Sequence, residues 1–176
     1  MGRKIKNQNA YEGVRMRGCI EVCLKNALTG EEIIRGSGEN AVLYVGRNML
    51  MTRAYTSGTQ TNILVPCIMI GSATATANAT NTNLGAYYTF KTGGFATTTA
   101  SDGSVQPILR FTGSWASTEL NVSNFNSVRE FALAFNTVSN NSVNNLTNPV
   151  LCRYVSGSDI NATTSNELYV TYTVSF

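Results

Sequence analysis

The last ten residues, ELYVTYTVSF (167–176), decide the fold class. Leu168, Val170, Tyr172, Val174 and Phe176 fall on one side of an extended chain, and Tyr169, Thr171, Thr173 and Ser175 on the other. Unbroken period-two alternation in β-branched and aromatic residues reads as a half-buried strand. A chain that closes on Phe176 in phase is expected to be held in a sheet to its end.

The same pattern recurs upstream. In CIEVCLK (19–25) Ile20, Val22 and Leu24 share a face, NALTGEE (26–32) supplies a turn centred on Gly30, and IIRGSG (33–38) returns, so a hairpin is predicted. Further strands are expected at ILVPCIMI (63–70), YYTF (87–90), ILRFTGSW (108–115), VREFALAFN (128–136) and VLCRYV (150–155). Pro66 cannot donate to a ladder and marks a strand edge or bulge. In VREFALAFN, Phe131, Leu133 and Phe135 share one face and alanines fill the other, which calls for a second layer close by. One segment breaks the pattern: NAVLYVGRNMLMTRAYTSG (40–58) enters as a strand, then carries helix formers up to the stop at Gly58. A short helix is expected at about 46–56, with Gly46 a weak point at its front. Short strands separated by turn-rich stretches predict an all-β protein, an antiparallel β-sandwich with a jelly roll as one form of it. The expected organisation is a basic N-terminal arm, 1–17, and a single β-sandwich domain, 18–176.

Composition narrows function. Charged residues are 13% of the chain, well under the ~25% typical of soluble domains. The polar surface must come from Thr, Ser and Asn, which suits contact with other protein surfaces. The net charge is +3, and Arg3, Lys4, Lys6, Arg15 and Arg17 concentrate it at the start. Nucleic acid is not the expected partner, because neither a basic face with stacking aromatics nor a known module accompanies the arm. The arm reads as solvated or as grasping a neighbouring subunit.

Histidine is absent, which removes His-dependent triads and the commonest general base and metal ligand. Cys19, Cys23, Cys67 and Cys152 have no C-x-x-C spacing, and Cys19 and Cys23 stand too far apart on one extended strand for a disulfide. Reduced thiols, no metal and no cofactor are expected. MGRKIKNQNAYEG lacks the apolar stretch of a signal peptide, and ILVPCIMI is too short to cross a membrane as a helix. Synthesis in a cytoplasm is expected, with no membrane partner; the sequons at Asn78, Asn121, Asn140, Asn145 and Asn161 then carry no sugar.

The acidic residues form no recognised pair. Glu31 and Glu32 flank the hairpin turn; Asp102 in SDGS and Asp159 in SGSD read as turn residues. RGSGEN (35–40) lacks the downstream Lys-Ser/Thr of a phosphate loop, and TGG (92–94) reads as a turn. Glu130 stands out because it interrupts an apolar strand. Its expected partner is an arginine on a neighbouring strand, Arg153 or Arg110. Trp115 is in phase with Leu109 and Phe111 and reads as core; Tyr87, Tyr88 and Trp115 are the aromatics that a carbohydrate-binding module would use as stacking platforms.

Between the strands run nearly uncharged tracts: SATATANATNTN (72–83), TGGFATTTASDGS (92–104) and NTVSNNSVNNLTN (136–148). Long loops of this kind have a binding role or settle against a neighbour. Ala, Thr and Asn lie on another subunit at little desolvation cost. Thr74, Asn78, Asn81, Asn140 and Asn144 are therefore the candidate subunit contacts, together with the basic arm, and SATATANATNTN and the 136–148 tract are expected to be ordered in an assembly and mobile when free.

The order of features resembles small structural proteins of tailed bacteriophages, of the kind found among tail, fibre and baseplate components. The resemblance runs over residues 18–176: KNALTGEEI, then ENAVLYVGRNML, then the strand and glycine stop of IMIGSATATANATNTNLG, then VREFALAFN, PVLCRYV and LYVTYTVSF. In that pattern the stop reads G-x-G with Thr/Ala spacers before a leucine; Ala73 stands here for the second glycine. The glutamate of the late strand matches Glu130, and the following arginine matches Arg153. The resemblance implies a non-enzymatic virion protein, in the tail or a tail appendage, assembled as a homo-oligomer with copies of itself and other virion proteins. A capsid cement or decoration protein bridging the major capsid protein is the alternative within the class, and a carbohydrate-binding attachment module the alternative outside it.

Overall fold

The computed structural model describes residues 16–48, 64–81, 84–92, 94–99, 107–120, 127–137 and 150–175. Its strands are β1 (Arg17–Asn26), β2 (Glu32–Val42), β3 (Leu64–Gly71), β4 (Tyr87–Thr92), β5 (Gly94–Thr99), β6 (Pro107–Trp115), β7 (Val128–Thr137), β8 (Val150–Ile160) and β9 (Asn166–Ser175). They pair antiparallel in the order β4-β3-β7-β8-β2-β1-β9-β6-β5. The two ends of that order, β4 and β5, are consecutive in the chain. The sheet therefore curls until its margins adjoin, a nearly closed barrel. Counted with β4 and β5 as one bent strand, it has eight strands. Lys91 of β4 adds an ion pair to Glu119 in the turn after β6. That ammonium, and behind it the Ala116 N–H, holds the Glu119 carboxyl below its usual range.

The fold is all-β and antiparallel, as the alternation predicts. Its two packed layers are halves of one sheet. One layer is β2-β1-β9-β6-β5; the other is β2-β8-β7-β3-β4, and β2 serves both, pairing with β1 through Asn40 and then with β8 at Ala41 and Val42. The pairs β1–β9, β2–β8, β3–β7 and β5–β6 are nested as in a rolled hairpin. The meander pairs β3–β4 and β7–β8 set it apart from a jelly roll built from two Greek keys.

The predicted inner faces meet in the core. Ile20, Val22 and Leu24, with Leu168, Val170, Tyr172 and Val174, pack across the barrel on Ile68, Ile70, Phe131, Leu133 and Phe135. Phe111 and Phe135 meet edge to face at 5.9 Å. The layers come so close at Gly113 that a Cβ there would lie 3.2 Å from Ile68 Cδ1. The hairpin turn forms as read: Gly30 takes φ +71°, and the Asn26 side chain accepts the N–H groups of Leu28 and Thr29.

The alanine face of β7 is covered by a second, smaller core. Ala132 and Ala134 pack with Cys67 and Met69 of β3 and Val150 of β8, and with Leu43 from the chain leaving β2 and Leu84 from the loop after β3. The small side chains are what let that cover lie flat on the strand.

Several sequence readings need correction. Helix occupies residues 44–48, beginning ahead of the expected 46–56; the rest of that range lies outside the described residues. Gly46 is no defect there. A Cβ on it would sit 2.4 Å from Leu151 Cα, so glycine lets the helical turn rest directly on β8, and tertiary contact overrides propensity. GFATTT is strand β5, not part of a loop; Thr92 ends β4, Gly94 begins β5, and the middle of TGG lies outside the described residues. SGSD lies within β8, not in a turn: Val128 pairs with Ile160 beyond it, and Asp159 binds Arg129 Nε at 2.7 Å. Pro66 pairs with Phe135 on one side; on the other, the described pairing with β4 begins one residue later, at Cys67.

Candidate functional site

The residues that sequence reading marked as unusual converge on one knot beneath the loop after β3. Glu130 projects from β7 on the alanine face, and Arg153 projects from β8, whose Cα is paired with Ala132. Both are buried, at 0% and 2% exposure. Arg153 Nε donates to Glu130 Oε1 at 2.6 Å. Arg110, the other expected partner, is exposed on β6.

Each member also holds the loop. The Glu130 carboxylate accepts the N–H groups of Gly85 (2.7 Å) and Ala86 (3.1 Å). The Arg153 guanidinium donates to Ala75 O (3.1 Å), Thr76 O (3.4 Å) and Asn81 Oδ1 (2.8 Å). An arginine carries only donors in a planar fork, and here it spends them on one carboxylate, two carbonyls and an amide oxygen. The loop is tied elsewhere too: Ser72 N–H to Ala86 O at its neck, and Tyr44 N–H to Ala79 O at its far side, both 2.9 Å. Asn81 Oδ1 also accepts Asn78 N–H, and Asn78 Oδ1 accepts Thr80 N–H, at 2.9 and 3.0 Å.

This accounts for the composition of SATATANATNTNLG. At the stop, a Cβ on Gly71 would lie 2.1 Å from Ala86 O, so only glycine lets the loop close on itself there. A Cβ on Gly85 would meet the Ala73 methyl at 2.7 Å. Small residues let the loop fold tightly, Asn and Thr satisfy its backbone locally, and its bare carbonyls receive the buried guanidinium. Leu84 then plugs the second core. The hydrogen bonds that hold the described part of this loop are made within the chain.

Of the candidate subunit contacts, Arg17 is exposed at the start of β1, and Thr74 and Asn78 are exposed on the loop. Asn81 is half-buried with its amide oxygen engaged inside the chain. Arg3, Lys4, Lys6, Arg15, Asn140 and Asn144 lie outside the described residues. The outer face of the β1-β9-β6 layer stands open, carrying exposed Glu21, Arg110, Thr112 and Ser114 beside half-buried Thr171 and Thr173. Tyr169, on the same face, has the Lys25 ammonium 5.4 Å from its ring centre. Trp115 is 1% exposed in the core and cannot stack on a sugar. Tyr87 packs on the second core and Tyr88 on the main one, so the pair does not form a single platform.

A groove of about 750 Å³ runs past Arg17, Glu39, Asn40, Tyr44 and Arg47. Glu39 is its one carboxylate among the described residues, whereas paired-carboxylate hydrolysis needs two. No group of three His, Cys, Asp or Glu side chains is placed to hold a metal among the described residues, and no described helix is long and apolar enough to cross a membrane.

The thiols divide into two classes. Cys67 and Cys152 are buried, and burial pushes them up to about 11 and about 12. Cys19 is exposed and Cys23 half-exposed on β1. Only a thiolate reacts, so a disulfide reagent at pH 8 is expected to titrate Cys19 and Cys23 rapidly in the native protein and all the cysteines after denaturation. Fast labelling of Cys152 in native protein would contradict the packing of β8 against β7. No protein-family model, no curated protein and no solved structure matches the chain.

Proposed function

We propose that the chain is a non-enzymatic structural protein of a tailed bacteriophage particle, in the tail or a tail appendage, assembling with copies of itself and with other virion proteins. One observation carries the reading. The residues on which the phage resemblance rests, Gly71, Leu84, Glu130 and Arg153, are scattered over more than eighty positions, yet they meet at one closed knot. A carboxylate with its oxygens given to two backbone N–H groups and an arginine, at 0% exposure, has the geometry of a scaffold. A general acid or base must reach a substrate proton, and this one is sealed under the loop.

The exposed surface fits the role. Thr74 and Asn78 sit on a loop already held in shape, so contact made there loses little conformational entropy. The Thr/Ser-rich outer face of the β1-β9-β6 layer offers few charges to desolvate. The test is localisation. Gold-labelled copies on purified particles are expected on the tail; labelling of the head assigns the cement role instead, and absence of the chain from particles overturns both.

A further inference from the structure

We propose that the free edge of β2 joins two copies of this chain, strand to strand, about a two-fold axis at Ser37. β2 pairs with β8 only at Ala41 and Val42. Beyond them β8 runs on to Ile160 in the opposite layer, paired with β7, while β2 from Glu32 to Asn40 stays paired with β1. That stretch of β2 is consequently a sheet margin with no strand on its outer side among the described residues. Its outward backbone groups can be identified. Leu43 donates its N–H to Leu151 O, toward β8. Pairing with β1 is regular from Asn40 to Ile34, and N–H directions alternate along a strand. The N–H and C=O groups of Arg35, Ser37 and Glu39 therefore face the open side.

Natural sheet margins discourage pairing with Lys, Pro or bulges. Residues 32–42, EIIRGSGENAV, contain neither Lys nor Pro, the irregularity in their pairing with β1 falls at Ile33, outside Arg35–Glu39, and Gly36 and Gly38 add no bulk. The charges are self-complementary. An antiparallel pairing centred on Ser37 sets Arg35 opposite the partner's Glu39 and Glu39 opposite the partner's Arg35. Centring on Arg35 or Glu39 opposes like charges, and centring on Gly36 or Gly38 pairs none. Registers within Arg35–Glu39 are thus sorted by charge to one, with about six backbone hydrogen bonds across the axis. Arg35 now binds Glu32, but that pair is exposed, 72% and 41%, and an exposed pair holds it weakly. On the inner side, a Cβ on Gly36 would have nothing within 4 Å, whereas the Tyr154 ring lies against Gly38, and β8 holds the outer side of Ala41 and Val42, so the stretch open to a second copy is Arg35–Glu39 and the partner strand must turn away beyond it.

The proposal names a second copy as partner within the assembly role above. It rests on that role for its setting only, and it is tested on the isolated full-length chain. Sedimentation across a concentration series is expected to show a monomer–dimer equilibrium. Ser37→Pro removes an N–H that faces away from β1, so it is tolerated within the monomer and is expected to leave monomer only. Arg35→Glu and Glu39→Arg should each weaken association about tenfold or more, and the double reversal should restore it, because each charge then meets its complement again. The circular dichroism and melting of the charge variants should match the parent; if Ser37→Pro does not fold, the reversal series decides. A parent that stays monomeric at every concentration, or a dimer that keeps its affinity under both single reversals, overturns the interface. Neither outcome bears on the particle role, which localisation tests separately.

Discussion

Replacing Arg153 with methionine is expected to lower the unfolding free energy by about 3–5 kcal/mol, the range for removing one partner of a buried ion pair. The reason lies in what is left behind. Glu130, at 0% exposure, would keep the N–H groups of Gly85 and Ala86 but lose its counter-charge. Ala75 O, Thr76 O and Asn81 Oδ1 would lose their donor and find one only by lifting toward water. Denaturant titration measures the loss. Hydrogen exchange then locates it: amides of 72–81 and 85–86 should lose protection ahead of the β7 amides, because the loop is tied down by this side chain and the strand is not. In the double variant with Glu130→Leu, the two losses should fall short of their sum by about 0.5–3 kcal/mol, the coupling of residues in one network. A loss under about 1 kcal/mol for Arg153→Met, with loop protection unchanged, would show that the pair is not the loop's anchor.

What the sequence made legible and what it hid follow one physical division. Side-chain periodicity is local, so β1, β6, β7 and β9 and their buried faces could be read directly, as could Glu130, an acid where the strand period asked for a small or apolar residue. The target of Arg153 could not. Its acceptors Ala75 O and Thr76 O are main-chain carbonyls, which every residue possesses and no residue type advertises. In SATATANATNTN the exposed Thr74 and Asn78 were legible as surface, and the inward ties at Ala75, Thr76 and Asn81 were not. Turn chemistry misled in the same way. Ser156, Gly157 and Asp159 have turn propensity, but the β7 pairs on either side of them, Glu130 with Val155 and Val128 with Ile160, and the Arg129–Asp159 contact keep them within β8 as a bulge. GFATTT escaped because its sequence shows no apolar alternation over several residues, while β6 supplies the ladder. Gly46 shows the limit of propensity from the other side: a residue that weakens an isolated helix is the one that lets this helical turn touch β8.

The second large effect is expected at Trp115. Trp115→Ala should lower stability by about 3–5 kcal/mol, the usual loss for an aromatic removed from a packed core. Trp115 ends β6 opposite Leu168 of β9 and belongs to the same buried cluster as Phe111 and Leu120. The experiment also separates two readings of one residue. A sugar-stacking tryptophan must present a face to solvent, so its loss would abolish glycan binding and leave the unfolding midpoint in place. A core tryptophan does the reverse. Trp115 is the only tryptophan in the chain, so its fluorescence in the parent should be that of a shielded indole and shift to longer wavelength on unfolding; the alanine variant loses that signal and has to be followed by far-ultraviolet dichroism. Trp115→Phe sharpens the argument. The indole N–H is buried with no hydrogen-bond partner among the described residues, so phenylalanine sacrifices volume but also removes an unpaired donor. Its loss should stay within about 1.5 kcal/mol. If both variants fall equally far, then the indole N–H is bonded in solution and the margin of the core at Leu120 is wetter than its packing implies.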